Sequence, residues 1–283
     1  MAEFVTPDGC RLRYRLRGES GPLIALTPGG RTPGESVAAL AEALAPSARV
    51  LTWDRRNTGS SDVFFGGEGS EQEIWADDLA DLVAALGLGP AWLAGGSAGC
   101  RVSVLTALRR PEAARGLILW SASGGRYGCQ YLGFHYHVPY IMAAQGGDMP
   151  AVARTPFFAE RIRDNPDNEA RLLAIDPQAF IATLKRWNDF FYYREDCTLA
   201  GVPDAALAAI ERPTLVFEGG DDVHTKDVSD ALLSLIPGAV PAPTPWTPQA
   251  WIDRWTGRVA GTLFAQYPLL APTIVDFIAR HPA

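Results

Sequence analysis

The chain has 283 residues, 47% of them apolar and 20% charged, an ordinary composition for a globular fold in water. Its net charge of −7, with no basic cluster interleaved with aromatics, speaks against nucleic acid or an anionic membrane surface as a partner. Four scattered cysteines without a C-x-x-C pair speak against a disulfide or metal scaffold, and no apolar run approaches the ~18 residues that span a bilayer.

Residues 1–20 lack the charged-then-apolar profile of a signal peptide, so reduced thiols and a cytoplasmic location are expected. Thr6-Pro7-Asp8-Gly9 between short alternating runs predicts an opening β-hairpin. Strand-like Leu23–Leu26 is followed by a loop, Thr27–Glu35, a helical run, Ser36–Leu44, and a strand, Arg49–Trp53. After the loop Asp54–Gly69, Ser70 and Glu73 form a capping-box pattern. Ile74, Trp75, Leu79, Leu82, Val83 and Leu86 then recur at helical spacing until Gly87 or Gly89 stops the helix. Ala91–Ala94, the helical run Cys100–Arg109 and the strand Gly116–Trp120 complete the first half. Repeated β-α-β units predict a mostly parallel sheet with helices on both faces, and function collects at the carboxyl ends of such strands.

The alternation stops from about Arg126 to Leu207. This helical stretch, with the aromatics Trp187, Phe190, Phe191, Tyr192 and Tyr193, predicts a lid over the strand ends that lines an apolar pocket. The expected division is a core of residues 1–125 and 208–283 with a lid of residues 126–207. Strand rhythm resumes at Thr214–Phe217, and the Pro-rich stretch Pro237–Pro248 leaves room for one short strand at Ala239–Ala242.

Between the strand Ala91–Ala94 and its helix lies Gly95-Gly96-Ser97-Ala98-Gly99, a G-x-S-x-G element in the strand–turn–helix setting that exposes a serine hydroxyl on a sharp turn. A serine hydroxyl needs a base to take its proton, and a developing oxyanion needs donors already aimed at it.

These residues, the opening Phe4–Gly9, the loop Asp54–Asp62 and the turn Phe217–Asp222 together resemble the α/β-hydrolase family, in its proline iminopeptidase-like and meta-cleavage-product hydrolase branch. The loop looks like the family's D-x-R-G-x-G-x-S-D, with Asn57 in place of the first glycine. The resemblance implies an eight-stranded, mostly parallel sheet with an inserted helical lid. It further implies Ser97 as nucleophile, Asp222 as the triad acid with Asp221 holding the turn, and oxyanion donors at the N–H groups of Ala98 and Gly30. The loop that is normally His-Gly-x reads Pro28-Gly29-Gly30-Arg31. Arg31 either clamps a substrate carboxylate bidentately or pairs with Asp54 or Glu35. Trp187 is the expected aromatic contact to substrate.

The family's base is missing from its usual place. Thr244–Gln249 contains no histidine, and the ending that aligns with the family's histidine-bearing segment puts Ala265 or Gln266 at that position. His281 is expected in solvent. His135 and His137 lie in the lid, where an H-x-H pair without further ligands is poor metal chemistry. His224 is the candidate base, although Asp222 lies only two residues away and two strand spacings, roughly 10 Å, separate its turn from Ser97. Arg101, in the first turn of the helix after Ser97, is expected to pair with a carboxylate.

Three readings follow. The first is a cofactor-free serine hydrolase of a small ester, amide, lactone or C–C bond substrate with an atypically placed base. The second is a lyase, cyclase or isomerase on the same fold, with Ser97 as a hydrogen-bond donor. The third is a non-catalytic small-molecule binder. A homodimer stays open in all three.

Overall fold

A computed structural model describes residues 1–282. Eight strands form one sheet: β1 (Ala2–Val5), β2 (Arg11–Arg17), β3 (Leu23–Thr27), β4 (Arg49–Asp54), β5 (Ala91–Gly96), β6 (Ala114–Trp120), β7 (Thr214–Phe217) and β8 (Val240–Ala242). Their order is β1-β2-β4-β3-β5-β6-β7-β8. β1 pairs antiparallel with β2 and β2 with β4, and every other pairing is parallel.

Why the centre of the sheet is apolar follows from its cover. All five residues of β3 and all six of β5 are buried, as a parallel sheet with helices on both faces requires. Successive residues of β5 alternate between two cores. Leu93 packs with Leu79 and Leu82 of α2 (Glu71–Leu86) and Val102 and Leu105 of α3 (Ala98–Arg109). Trp92 and Ala94 pack on the opposite face, with Leu40 and Leu44 from the helix Ala38–Leu44 and Ile274 and Phe277 from the C-terminal helix Ala271–Ala279.

The start of α2 is set by the predicted capping box. Ser70 Oγ accepts from the Glu73 N–H at 3.3 Å, and the Ser70 N–H donates to Glu73 Oε2 at 2.8 Å. Gly87, with φ of 64°, closes the helix in the left-handed conformation.

Between β6 and β7 the chain is helical: α4 (Gly125–Ala153), α5 (Pro156–Asp164), α6 (Asp167–Leu173), α7 (Pro177–Asp189) and a single turn at Asp204–Leu207. Gly147 and Asp148 leave helical geometry within α4. The lid has a core of its own, made of Phe158, Phe180, Leu184 and Trp187 with Val63 and Ile74 from below. Trp187 is 1% exposed and stacks on Phe65 with ring centroids 5.2 Å apart. Its place as a substrate contact is therefore corrected: tertiary packing consumes the whole indole. Beyond β8 the chain forms a further helix, Pro248–Trp255, which the loop expected over Pro237–Pro248 did not anticipate although Thr247-Pro248 carries the proline-at-first-turn start signal.

Candidate active site

β5 runs into α3 at Ser97, whose φ of 53° and ψ of −111° cost a non-glycine residue on the order of 1–3 kcal/mol. The chain can make this turn because nothing projects at its flanks. A Cβ on Gly95 would strike the Gly99 backbone, and one on Gly99 would strike the Thr27 carbonyl. The Ser97 N–H is held by the carbonyls of Trp120 at 3.2 Å and Ser121 at 3.1 Å. The side chain therefore stands at the carboxyl end of the sheet, half-buried, in the wall of a cavity of about 350 Å³.

The His224 imidazole reaches this serine. Nε2 lies 3.0 Å from Ser97 Oγ, and Nδ1 lies 2.9 Å from Asp221 Oδ2. The carboxylate that meets His224 is thus Asp221 and not Asp222, which is exposed. Backbone geometry dictates this exchange. The N–H groups of Gly220 and Asp221 both donate to the His224 carbonyl, at 2.7 and 3.3 Å, so the turn closes on itself. Asp221 Oδ1 then accepts the N–H groups of Val223 at 2.9 Å and His224 at 2.8 Å. Three residues of separation suit such a closed turn, whereas two leave Asp222 on its outer side. Burial would raise the Asp221 carboxyl, but the hydrogen bond and charge of His224 with the two backbone donors outweigh it and hold it below the ordinary carboxylate range.

The neighbouring walls follow from the loops. Gly29 and Gly30 line the cavity, and a Cβ on Gly29 would lie 3.3 Å from that of Ser97. Ala98 is the first residue of α3, so its N–H has no acceptor within the helix. The aromatic lining comes from Tyr131 and Tyr136 of α4 on one side and Trp251 and Tyr267 on the other. Trp251, on the helix Pro248–Trp255, stands edge-on to His224 with centroids 5.1 Å apart. Ala265 is exposed, and the segment aligned with the family's base sends Tyr267 to the cavity instead.

Arg31 does not line this cavity and pairs with neither Asp54 nor Glu35. It is buried against Glu71 of α2, and its guanidinium lies over the Tyr136 and Phe157 rings at 5.2 and 5.3 Å. The physical reason lies next door at Asn57, which takes φ of 63° where the family pattern has glycine, a conformation asparagine tolerates. Its Nδ2 donates to Glu71 Oε1 at 3.2 Å, and this holds the carboxylate in place for Arg31. Asp54 is spent on the backbone N–H groups of Gly34 at 2.6 Å and Ser60 at 2.8 Å. Arg101 is also corrected: among the described residues it meets no carboxylate and bonds to Gln72 and Ser123.

The other histidines separate clearly. His281 is half-buried rather than solvated, bonded through Nδ1 to the Phe277 carbonyl at 2.8 Å. His135 lines the cavity. Among the described residues no three His, Cys, Asp or Glu side chains are grouped to hold a metal. His137 is fully buried, with Nδ1 on Asn188 Oδ1 at 3.1 Å. Burial, reinforced by the charge of Arg31, pushes its pKa down to about 3. The unfolded chain, with an ordinary histidine near ~6.5, then binds this proton first. Stability is accordingly present above pH ~6.5 and lost as pH falls toward about 3, by up to ~1.4 kcal/mol per pH unit. Urea midpoints measured from neutral to acid pH are expected to fall less steeply in His137→Phe than in the parent.

Three similarities place the fold among known proteins. An uncharacterized hydrolase of Bacillus subtilis, YraK, is 34% identical over 104 residues, 37% of this chain and 38% of that protein, so the match spans well under half of either. The enol-lactonase from Burkholderia xenovorans LB400 superposes with a TM-score of 0.62 at 22% identity, covering 98% of this chain and all of that one. The meta-cleavage product hydrolase CumD of Pseudomonas fluorescens IP01, an S103A mutant, superposes at 0.64 with 18% identity, covering 100% and 98%. At these identities the two structures speak for the fold. The model of the alpha/beta hydrolase family matches residues 24–273, and the chain belongs to that family.

Proposed function

We propose that the protein is a serine hydrolase of small esters or lactones, with Ser97 as nucleophile, His224 as base and Asp221 as the acid that orients it. One observation carries this reading: His224 Nε2 is 3.0 Å from Ser97 Oγ while its Nδ1 bonds to Asp221. A base in hydrogen-bond reach of the nucleophile, itself oriented by a third group, is the arrangement acyl transfer needs.

In this reading Ser97 Oγ attacks the carbonyl carbon as its proton passes to His224 Nε2. The Nδ1–H bond to Asp221 stabilises the imidazolium. The N–H groups of Ala98 and Gly30 receive the oxyanion. His224 returns the proton to the departing alkoxide, or to the ring-opened alkoxide of a lactone. A water molecule, deprotonated by the same imidazole, then releases the acid and regenerates Ser97. The apolar, aromatic-lined cavity beside Ser97 suits a small substrate with few polar groups. The fold shared with an enol-lactonase is consistent with lactones as one substrate class.

A fluorophosphonate probe tests it. Labelling is expected on Ser97, absent in Ser97→Ala and slowed by a factor of about 10³ or more in His224→Ala. A parent protein that takes no label, or labels as fast without His224, contradicts the proposal.

A further inference from the structure

Arg55 and Arg101 are both 0% exposed, and among the described residues neither has a carboxylate for a hydrogen-bond partner. Arg55 donates from Nη2 to the Thr32 carbonyl at 3.1 Å and lies over Trp75 at 4.5 Å. Its Nε and Nη1 meet no acceptor among the described residues. Arg101 donates to Gln72 Oε1 at 3.3 Å and to Ser123, which leaves Nη2 without an acceptor among the described residues. Gln72 Nε2 and the Tyr136 hydroxyl are buried and likewise have no partner among the described residues.

These groups form one neighbourhood. The Arg55 guanidinium feels the charges of Tyr136, Glu71, Arg101 and Asp54. Both guanidiniums sit against α2, Arg55 lying over Trp75 while Arg101 bonds to Gln72 one turn earlier. Arg101 lies over the Phe191 ring at 5.3 Å, and Phe191 meets Tyr136 edge-on at 5.5 Å. The carboxylates within reach are already spent: Glu71 on Arg31 and Asn57, Asp54 on two backbone N–H groups. Burial lowers the Arg55 pKa to about 10, which still leaves the guanidinium charged at neutral pH. Glu71 and Asp54 offset part of that charge from a distance, but among the described residues neither gives Arg55 or Arg101 a charged hydrogen-bond acceptor. A buried cation whose donors are left unmade is costly.

The geometry points to a buried anion subsite formed by Arg55 and Arg101, with the Gln72 amide and Tyr136 hydroxyl, that takes a carboxylate carried by the substrate. The unpartnered guanidinium nitrogens, Arg55 Nε and Nη1 and Arg101 Nη2, are charged donors of the kind a carboxylate accepts. The location also fits. Thr32 and Tyr136 line the cavity that holds Ser97, so Arg55 stands one residue behind its wall. Among the described residues no hydrogen bond holds the Tyr136 phenol, so the proposed approach to the guanidiniums runs past that ring. The substrate assignment rests on the hydrolase reading; the anion site does not.

Two arms test it. In Ser97→Ala, which needs no turnover, acetate at constant ionic strength is expected to raise Tm by about 3 °C or more and chloride by less, with both shifts lost in Ser97→Ala/Arg55→Met. In the parent, mono(4-nitrophenyl) glutarate is expected to exceed 4-nitrophenyl butanoate in kcat/KM by about tenfold or more. Arg55→Met and Arg101→Met each lower that ratio by about tenfold. Arg55→Lys, which keeps the charge and loses the fork, replaces the methionine variant if that one does not fold. No anion-dependent shift, or one indifferent to Arg55, overturns the site. A shift without preference for the carboxylated ester assigns the site to a free anion and overturns the substrate role. A protein inert on both esters whose acetate shift still needs Arg55 overturns the hydrolase reading and keeps the anion site.

Discussion

Asp221→Asn is expected to lower kcat/KM on a small ester by a factor of about 10⁴, while Asp222→Asn stays within about twofold. The reason is the Nδ1–H bond. With an amide in place of the carboxylate, the tautomer that leaves Nε2 free to accept the Ser97 proton is no longer favoured, and the imidazolium loses its counterion. Asp222 is exposed on the far side of the same turn, where an amide changes little. Thermal stability separates chemistry from folding, because Asp221 Oδ1 also accepts two backbone N–H groups that stabilise the turn. A comparable loss in both variants, or a loss in Asp222→Asn alone, would count against Asp221 as the orienting acid.

The second large effect is on stability. Glu71 is 1% exposed, faces Arg31 and accepts from Asn57. Glu71→Leu removes the counter-charge of a buried guanidinium, and breaking a buried pair from one side costs about 3–5 kcal/mol. The double variant Arg31→Met/Glu71→Leu is expected to recover most of that loss, because two apolar groups then replace the pair without leaving a bare charge. Urea unfolding of the parent, both single variants and the double variant gives the coupling. Additive losses would mean that the two side chains do not act as a pair.

The fold was legible because its signals are local. Alternation of strands and amphipathic helices predicted the parallel core, and Ser70, Glu73 and Gly87 marked the ends of α2 without reference to anything distant. Ser97 was legible for the same reason, since its glycines and flanking elements lie within a few residues. The partnerships were not. Which of two adjacent aspartates faces His224 depends on backbone bonds that close residues 220–224. The roughly 10 Å across two strand spacings is bridged because the Ser97 elbow and the closed turn both stand beyond the strand ends. Arg31 finds Glu71 forty residues later in the chain, and Trp187 is spent on Phe65 and the lid core. Each of those choices is made by tertiary neighbours, to which spacing along the chain is blind.

On the proposed reading, one short connection after β7 supplies both proton-handling groups. The polypeptide beyond β8 is thereby released from chemistry and, through Trp251, Leu263 and Tyr267, serves as wall. Recognition and turnover then sit on separable stretches of chain, so the shape of the chamber can drift, or be exchanged for another, while the reactive trio stays intact.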